Sequence, residues 1–168
     1  MTNARLELAT SKEGVLLLEF IPNDARPLFE LINRNRDHLN QHGDKTAKKY
    51  PDFESVLRSI THPKNPEKIR FGIWSDGVLA GTINITRTGG RLTSEIGYWI
   101  GSEFCGKGLA TIATKRIILF GHRNGYTDRM IANAHIDNTF SQRVLLKAGM
   151  TETRRDETEV WFIVNTES

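Results

Sequence analysis

GSEFCGKGLA, residues 101–110, lies between an apolar strand pattern and an amphipathic helix pattern. Glycines let the backbone come close to a ligand. The first N–H groups of a helix have no partner within the helix, and they carry a partial positive charge. Phosphate groups bind at such positions. The sequence therefore predicts an anion-binding loop in a strand-loop-helix unit.

One interpretation of this loop is a nucleoside triphosphate site. Residues 101–107 satisfy G-x-x-x-x-G-K, the first seven positions of a P-loop. The eighth position is Gly108, where a P-loop has the Ser or Thr that holds Mg²⁺. The later apolar run at residues 130–134 leads to His135 and not to an aspartate that could hold the metal. The sequence therefore disfavours an ATPase and predicts no metal site.

The second interpretation is a coenzyme A site, and it rests on three motifs. FCGKGLA at residues 104–110 resembles the (Q/R)-x-x-G-x-(G/A) loop of the GNAT N-acetyltransferases. EIGYWI at residues 95–100 resembles a strand motif of the ribosomal-protein (Rim-type) serine/alanine branch of that family. The N-x-x-S at residues 138–141 and the K-x-G-M at residues 147–150 resemble its N-x-x-S…K-x-G-F ending. Residues 32–39 are more loosely similar to the family's first helix.

This resemblance implies an α/β (α+β) GNAT fold in a single domain over residues 1–168. The family has a mixed, mostly antiparallel central sheet of about seven strands flanked by about four helices. Its fourth and fifth strands, here residues 93–100 and 129–134, are expected to splay apart at a bulge in the fourth.

Apolar patterning predicts a similar alternation of strands and helices. Strands are predicted at residues 5–8, 14–20, 70–74, 78–86, 93–100, 129–134, 150–154 and 159–164, with hairpin turns at Asp76-Gly77 and Gly89-Gly90. Helices are predicted at residues 25–40 and 53–60, after Gly108 with an end near Gly121 or Gly125, and after Asp137 or Asn138 with an end at Gly149. Residues 41–50 are predicted to be a polar connection.

Composition and charge narrow the class of protein. The 168 residues, 38% hydrophobic and 26% charged, suit one soluble globular domain. A net charge of +3 without a long basic run argues against nucleic-acid binding. No apolar stretch approaches the ~20 residues of a membrane span, and the first residues have no signal-peptide core. These features predict a cytoplasmic protein without a membrane partner.

By the resemblance, acetyl-CoA is the cosubstrate, and three segments bind it. Backbone N–H groups near Tyr98, Trp99 and Ile100 would stabilise the oxyanion of the tetrahedral intermediate. The loop residues that would hold the pyrophosphate are Phe104, Cys105, Gly106, Lys107, Gly108, Leu109 and Ala110. Asn138 matches the residue that hydrogen-bonds the pantetheine arm. Cys105 occupies a variable position of the family, which predicts a spectator in the chemistry.

Acetyl transfer requires a neutral amine and a proton for the departing thiolate. Many family members have a tyrosine two residues before the lysine of the K-x-G-F ending, but this chain has Leu145 there. The resemblance implies Ser141 as the acid, and the alternative is an ordinary polar residue in the first turn of a helix. Glu95 is the first candidate for the base, and the alternative is an exposed strand carboxylate. His135 and the acidic residues 152–159 are further candidates.

The sequence does not name the amine acceptor. The ribosomal-protein branch has a tryptophan- and proline-rich segment after its first helix, where this chain has the polar residues 40–50. This difference suggests an acceptor other than the ribosomal stalk-protein terminus. A protein N-terminus, an amino-acid derivative or a small-molecule amine such as an antibiotic stays open, acetylated directly in a ternary complex. A homodimer through the C-terminal strands is expected. The alternative function is a non-catalytic acyl-CoA-binding or sensing module.

Overall fold

A single sheet organises the computed structural model, which describes residues 4–88, 92–125 and 128–165. The strands of these ranges are β1 Glu7–Ala9, β2 Val15–Glu19, β3 Lys68–Ser75, β4 Val78–Arg87, β5 Thr93–Ile100, β6 Arg129–His135, β7 Thr151–Arg155 and β8 Glu159–Asn165. Their spatial order is β1-β2-β3-β4-β5-β6-β8-β7. Every neighbouring pair is antiparallel except β5 and β6. The predicted mixed, mostly antiparallel sheet is confirmed, but it has eight strands instead of about seven. The short edge strand β1 is held in place by its buried residue Leu8.

Helices cover both faces of the sheet. The α-helices in the described ranges are α1 Ala25–Arg34, α2 Arg36–Leu39, α3 Thr46–Lys49, α4 Phe53–Thr61, α5 Leu109–Arg123 and α6 Thr139–Lys147. One core joins the sheet to α5 and α6 and contains Ile83 and Ile117, whereas the other joins it to α1–α4 and contains Leu28 and Val56. No helix in the described part of the chain combines the length and the apolar character that a bilayer crossing needs.

The sheet opens between β5 and β6. Their parallel pairing joins only residues 93–95 to residues 129–131. Beyond this point β5 stays paired with β4 up to Ile100, and β6 stays paired with β8 up to His135. The predicted splay is therefore confirmed. The expected bulge is not its cause, because β5 pairs with β4 in continuous register and the irregular pairing lies between β3 and β4, at Ala80.

The helix predicted at residues 25–40 is broken at Asn35. The Asn35 backbone leaves the helical region, with φ −116° and ψ 16°, and α2 begins at the next residue. Its side-chain amide donates to the Leu31 carbonyl at 2.9 Å, and its Oδ1 accepts from the Ser102 backbone N–H at 2.9 Å. A buried side chain that bonds to a distant loop thus overrides the helical pattern. The connection predicted at residues 41–50 likewise contains α3, whose Ala47 is buried.

Three predicted helix ends can be compared with the structure. Asn138 caps α6, because its Oδ1 accepts the Ser141 backbone N–H at 3.1 Å, and Gly149 follows α6 with φ 96°. Gly121 does not end α5 but lies inside it, where an added Cβ would come 2.7 Å from Met130 Cε. Gly125 follows the helix instead. The predicted turn at Gly89-Gly90 lies outside the described residues.

Candidate active site

A cleft of about 500 Å³ lies where β5 and β6 separate. The end of β5 forms one wall with Tyr98, Trp99 and Ile100, and the start of α6 forms another with Asn138 and Ser141. The remaining lining comes from α2 and the turn after it, from Cys105 in the loop that follows β5, from the end of β6 and from the start of β8. The structure therefore brings together residues from five separate parts of the chain.

A second cavity, of about 240 Å³, extends this cleft toward the start of α5. The two cavities share Ile100 and Phe140. Gly106, Gly108, Leu109 and Ala110 line the second cavity on one side, and Arg143 and Lys147 of α6 line it on the other. Unpaired N–H groups at the start of a helix and two cations favour an anion. This cavity therefore fits the phosphate end of a coenzyme.

Gly108 sets the direction in which α5 begins. It is the N-cap of the helix and has φ 75°, in the left-handed region that favours glycine. The space around it is open, since the nearest atom to an added Cβ is Ile112 Cδ1 at 4.0 Å. The glycine is therefore required by the backbone conformation and not by crowding within the protein.

Asn35 holds the other end of the glycine loop. Its Oδ1 also accepts from the Ser102 hydroxyl at 3.0 Å, and its amide donates to Glu103 Oε2 at 3.1 Å. Glu103 Oε1 accepts from Arg34 Nε at 2.6 Å. Partial burial disfavours the charged carboxylate, but the bonds from Arg34 and Asn35 outweigh it and keep the pKa of Glu103 below its usual value. The loop is thus tied to the junction between α1 and α2.

Ser141 lies against a phenol that sequence reasoning did not find. The Tyr98 hydroxyl is 2.8 Å from Ser141 Oγ, and it also donates to the Ser141 carbonyl at 3.1 Å. Burial raises the pKa of Tyr98 well above its usual value, and the hydrogen bond with Ser141 opposes this shift only in part. Tyr98 therefore stays protonated. Leu145, where a tyrosine was sought, is fully buried in the core.

The predicted coenzyme-binding residues line one of the two cavities, with the exception of Lys107. The Lys107 ammonium lies 5.5 Å from the centroid of the Phe104 ring. Cys105 lines the larger cleft, and its thiol donates to the Gly101 carbonyl at 3.6 Å. Burial and the nearby charge of Glu103 raise the pKa of the Cys105 thiol. A protonated thiol is a poor nucleophile, in agreement with the prediction of a spectator.

The carboxylates considered as bases lie in different places. Glu95 is exposed on β5 and is not among the residues that line the cleft. Its charge favours the protonated form of Lys68, although burial dominates and lowers the Lys68 pKa. Glu159 does line the cleft, where its Oε2 accepts from the Asn133 side-chain amide at 2.9 Å. Glu152 and Asp156 are exposed. Of these four, the structure therefore brings only Glu159 to the cleft.

Three histidines, His38, His42 and His135, line the larger cleft. His38 Nε2 lies 3.0 Å from the Ile100 carbonyl oxygen. The rings of His42 and His135 face each other with centroids 5.8 Å apart. Sequence reasoning considered only His135, because His38 and His42 stand in a helical and a polar segment without a motif. Arg143 was also missed, although it stands four residues before Lys147 on one face of α6, a spacing that can be read from the sequence.

The described residues contain no candidate metal-binding site. In these ranges no three His, Cys, Asp or Glu side chains are grouped so that they could hold a metal ion.

An opened sheet, a glycine loop at a helix start and a polar cleft beside that loop are the features of a coenzyme A-dependent acyltransferase. Sequence comparison then identifies the family, because residues 15–151 match the Acetyltransferase (GNAT) domain. The chain belongs to the GNAT acetyltransferase family. The predicted family, fold and enzyme class are therefore confirmed.

The alignments with related proteins cover most of this chain. The ribosomal-protein-serine acetyltransferase of Escherichia coli (strain K12) is 27% identical in an alignment of 147 residues that covers 82% of this chain and 79% of that protein. RimL, a ribosomal L7/L12 alpha-N-protein acetyltransferase solved with coenzyme A, has a TM-score of 0.85 at 15% identity, over 95% of this chain and 98% of its own. MccE, a microcin C7 self-immunity acetyltransferase solved with acetyl-CoA and AMP, has a TM-score of 0.75 at 20% identity, over 92% and 93%. These two structures show the shared fold.

Proposed function

We propose that this chain transfers an acetyl group from acetyl-CoA directly to a primary amine while both substrates are bound. The observation that carries the proposal is that the two cavities meet, at Ile100 and Phe140. One cavity offers groups for phosphate, and the other offers Ser141 and a polar wall for an acceptor. The protonated thiol of Cys105 gives no support to an acyl-enzyme route.

The donor fits the smaller cavity. Acetyl-CoA supplies an activated thioester and a pyrophosphate, and the N–H groups at the start of α5 with Arg143 and Lys147 match the charge of the latter. Asn138 Oδ1 is occupied by the Ser141 backbone N–H, so its side-chain amide N–H₂ is the group available to the pantetheine arm. RimL was solved with coenzyme A and MccE with acetyl-CoA, which supports a coenzyme A thioester as the donor.

We propose that Ser141 supplies the proton that the departing thiolate receives. The Tyr98 hydroxyl lies 2.8 Å from Ser141 Oγ and holds that oxygen at the wall of the cleft. We give the phenol a positioning role, because its hydroxyl contacts both the carbonyl oxygen and the Oγ of Ser141. A proton from the incoming amine restores the serine hydroxyl.

The acceptor is a cation before it reacts. Asp44 and Glu159 line the acceptor end of the cleft and would attract an ammonium group. A protein N-terminus, an amino-acid derivative and a small-molecule amine such as an antibiotic all satisfy this condition. The Escherichia coli relative carries the name of a ribosomal-protein-serine acetyltransferase, and MccE was solved with AMP. The cytoplasmic location, the single domain and the homodimer stay predictions.

Thiol release from acetyl-CoA tests the proposal. Wild-type protein is assayed against peptides with N-terminal Ser or Ala, amino-acid amides, polyamines and aminoglycosides, and coenzyme A binding is measured by calorimetry. We expect at least one amine to raise thiol release above hydrolysis, and Ser141→Ala to lower kcat by about 10²-fold. Tight binding of acetyl-CoA with no turnover of any amine would instead support the non-catalytic sensing module.

A further inference from the structure

We infer that His38, through its Nδ1 atom, is the general base that takes a proton from the acceptor amine. This inference rests on the proposed function, since a base is needed only if an amine is acetylated. It replaces Glu95, which is exposed and does not line the cleft. His38 lies on α2, is half-buried and lines the same cleft as Ser141.

The position of His38 is set by contacts on both sides of the cleft. Asn35 breaks the helix three residues earlier and bonds to Ser102, which holds the start of α2 against the glycine loop. His38 then bonds to the carbonyl of Ile100, the last residue of β5. The imidazole therefore sits beside the end of the strand whose N–H groups were predicted to stabilise the oxyanion.

The hydrogen bond to Ile100 selects the tautomer of His38. A carbonyl oxygen can only accept, so the bond at 3.0 Å places the proton on Nε2. In the neutral ring Nδ1 then carries the free lone pair. The carbonyl also stabilises the imidazolium that forms after proton uptake, because it remains bonded to a positively charged ring. The hydrogen bond to Ile100 thus leaves Nδ1 as the proton-accepting atom of His38.

The other candidates in the cleft are less suited to this role. His135 Nδ1 accepts the Asp137 backbone N–H at 3.2 Å, which leaves the Nε2–H as a donor. Glu159 Oε2 is already engaged by the Asn133 side-chain amide at 2.9 Å. The titratable groups that line the cleft around His38 are His42, Asp44, Tyr98, Cys105, His135 and Glu159.

The proton balance assigns a separate task to each side chain. An ammonium loses two protons when it becomes an amide. His38 Nδ1 takes the first, the nitrogen lone pair attacks the thioester carbonyl, and the N–C bond forms. The C–S bond then breaks, and Ser141 gives its hydroxyl proton to the thiolate. The second proton of the amine restores the Ser141 hydroxyl. The proton on His38 passes to water, so one proton is released per turnover.

The decisive variant is His38→Gln, assayed with the amine that the wild type uses best. The glutamine side-chain amide retains an N–H donor for the Ile100 carbonyl but has no basic nitrogen. We expect kcat to fall about 10²-fold, with KM for acetyl-CoA unchanged. The acidic limb of the kcat/KM profile should also disappear in this variant. His62→Gln makes the same change on an exposed histidine outside the cleft, and its activity should equal that of wild type.

Two results would overturn the assignment. Full activity in His38→Gln together with inactive His38→Ala would show that the residue acts only through its hydrogen bond. Retention of the acidic limb in His38→Gln and its loss in Glu95→Gln would return the role of base to Glu95. In both cases the wild type still turns over, so acetyl transfer itself stands. If the wild type acetylates no amine, the proposed function and the inference about His38 both fail.

Discussion

The donor and acceptor halves of the site are built in different ways. The donor half comes from two stretches, the end of β5 with the glycine loop and the start of α5, and the first turns of α6. The acceptor half is assembled from α2, the turn after it, the end of β6 and the start of β8. For the proposed donor, the first offers the N–H groups at the start of α5 together with Arg143 and Lys147. The second offers side chains such as His38, Asp44 and Glu159 to the proposed acceptor. A short motif can therefore encode coenzyme binding, whereas the acceptor wall depends on the tertiary fold.

The largest effect on one half of the site alone is expected from a substitution at Gly108. Gly108→Ala adds a methyl group beside the N–H groups that we propose bind phosphate, at φ 75°. We expect the affinity for coenzyme A, measured by calorimetry, to fall at least about 10-fold, or ~1.4 kcal/mol. The strained backbone should also lower the free energy of unfolding by about 1 kcal/mol.

Gly125→Ala is the matched control for Gly108→Ala. Gly125 also has a positive φ, 63°, and no atom lies within 4 Å of an added Cβ, but it follows the far end of α5. Its unfolding free energy should fall by a similar amount while coenzyme A affinity is retained. An equal loss of affinity in the two variants would show that strain, and not the phosphate site, causes the effect.

A smaller effect is expected from a substitution at Tyr98, the residue that positions the proposed acid Ser141. Tyr98→Phe removes the partner of Ser141 Oγ but keeps the ring that packs against the core. We expect kcat to fall about 5-fold, or ~1 kcal/mol in the activation barrier, with KM for acetyl-CoA nearly unchanged. In a Ser141→Ala background the same change should have no effect on kcat, because the two residues act as one unit. Additive effects in this double-mutant cycle would contradict the positioning role.

The smallest effect concerns Glu103, which ties the glycine loop to Arg34 and Asn35. The pKa of Glu103 is lowered in the folded state, so its contribution to stability is present above the unfolded pKa of about 4.3 and is lost as the pH falls through the folded pKa. Glu103→Gln should remove this part of the acid dependence. The Arg34 partner is half-exposed, so the loss at neutral pH should stay below about 1 kcal/mol. Urea unfolding from pH 3 to 7 measures it, and an unchanged acid slope would contradict the assignment.

Sequence reasoning was most successful where the determinants are local. The Asn138 cap and the end of α6 at Gly149 follow from helix-capping rules, and the splay between β5 and β6 follows from the family resemblance. Each depends on residues within one or two elements. The family assignment rests on motifs of the same kind.

Interactions between distant residues could not be predicted. Tyr98 and Ser141 are 43 residues apart, His38 and Ile100 are 62 apart, and both pairs meet only because the sheet opens beside α2 and α6. The break at Asn35 is of the same kind, since its partner Ser102 is 67 residues away. Periodicity continues through residue 35, and only the competing side-chain hydrogen bonds interrupt the helix.

The junction at Asn35 also limits how this scaffold can be re-engineered. Grafting a new acceptor segment in place of residues 36–50 leaves the glycine loop untouched in sequence, but the loop is tied to Asn35 by three hydrogen bonds. A graft that retains Asn35 keeps this tie, and a graft that begins one residue earlier removes it. The useful boundary for exchanging acceptor specificity therefore falls immediately after Asn35.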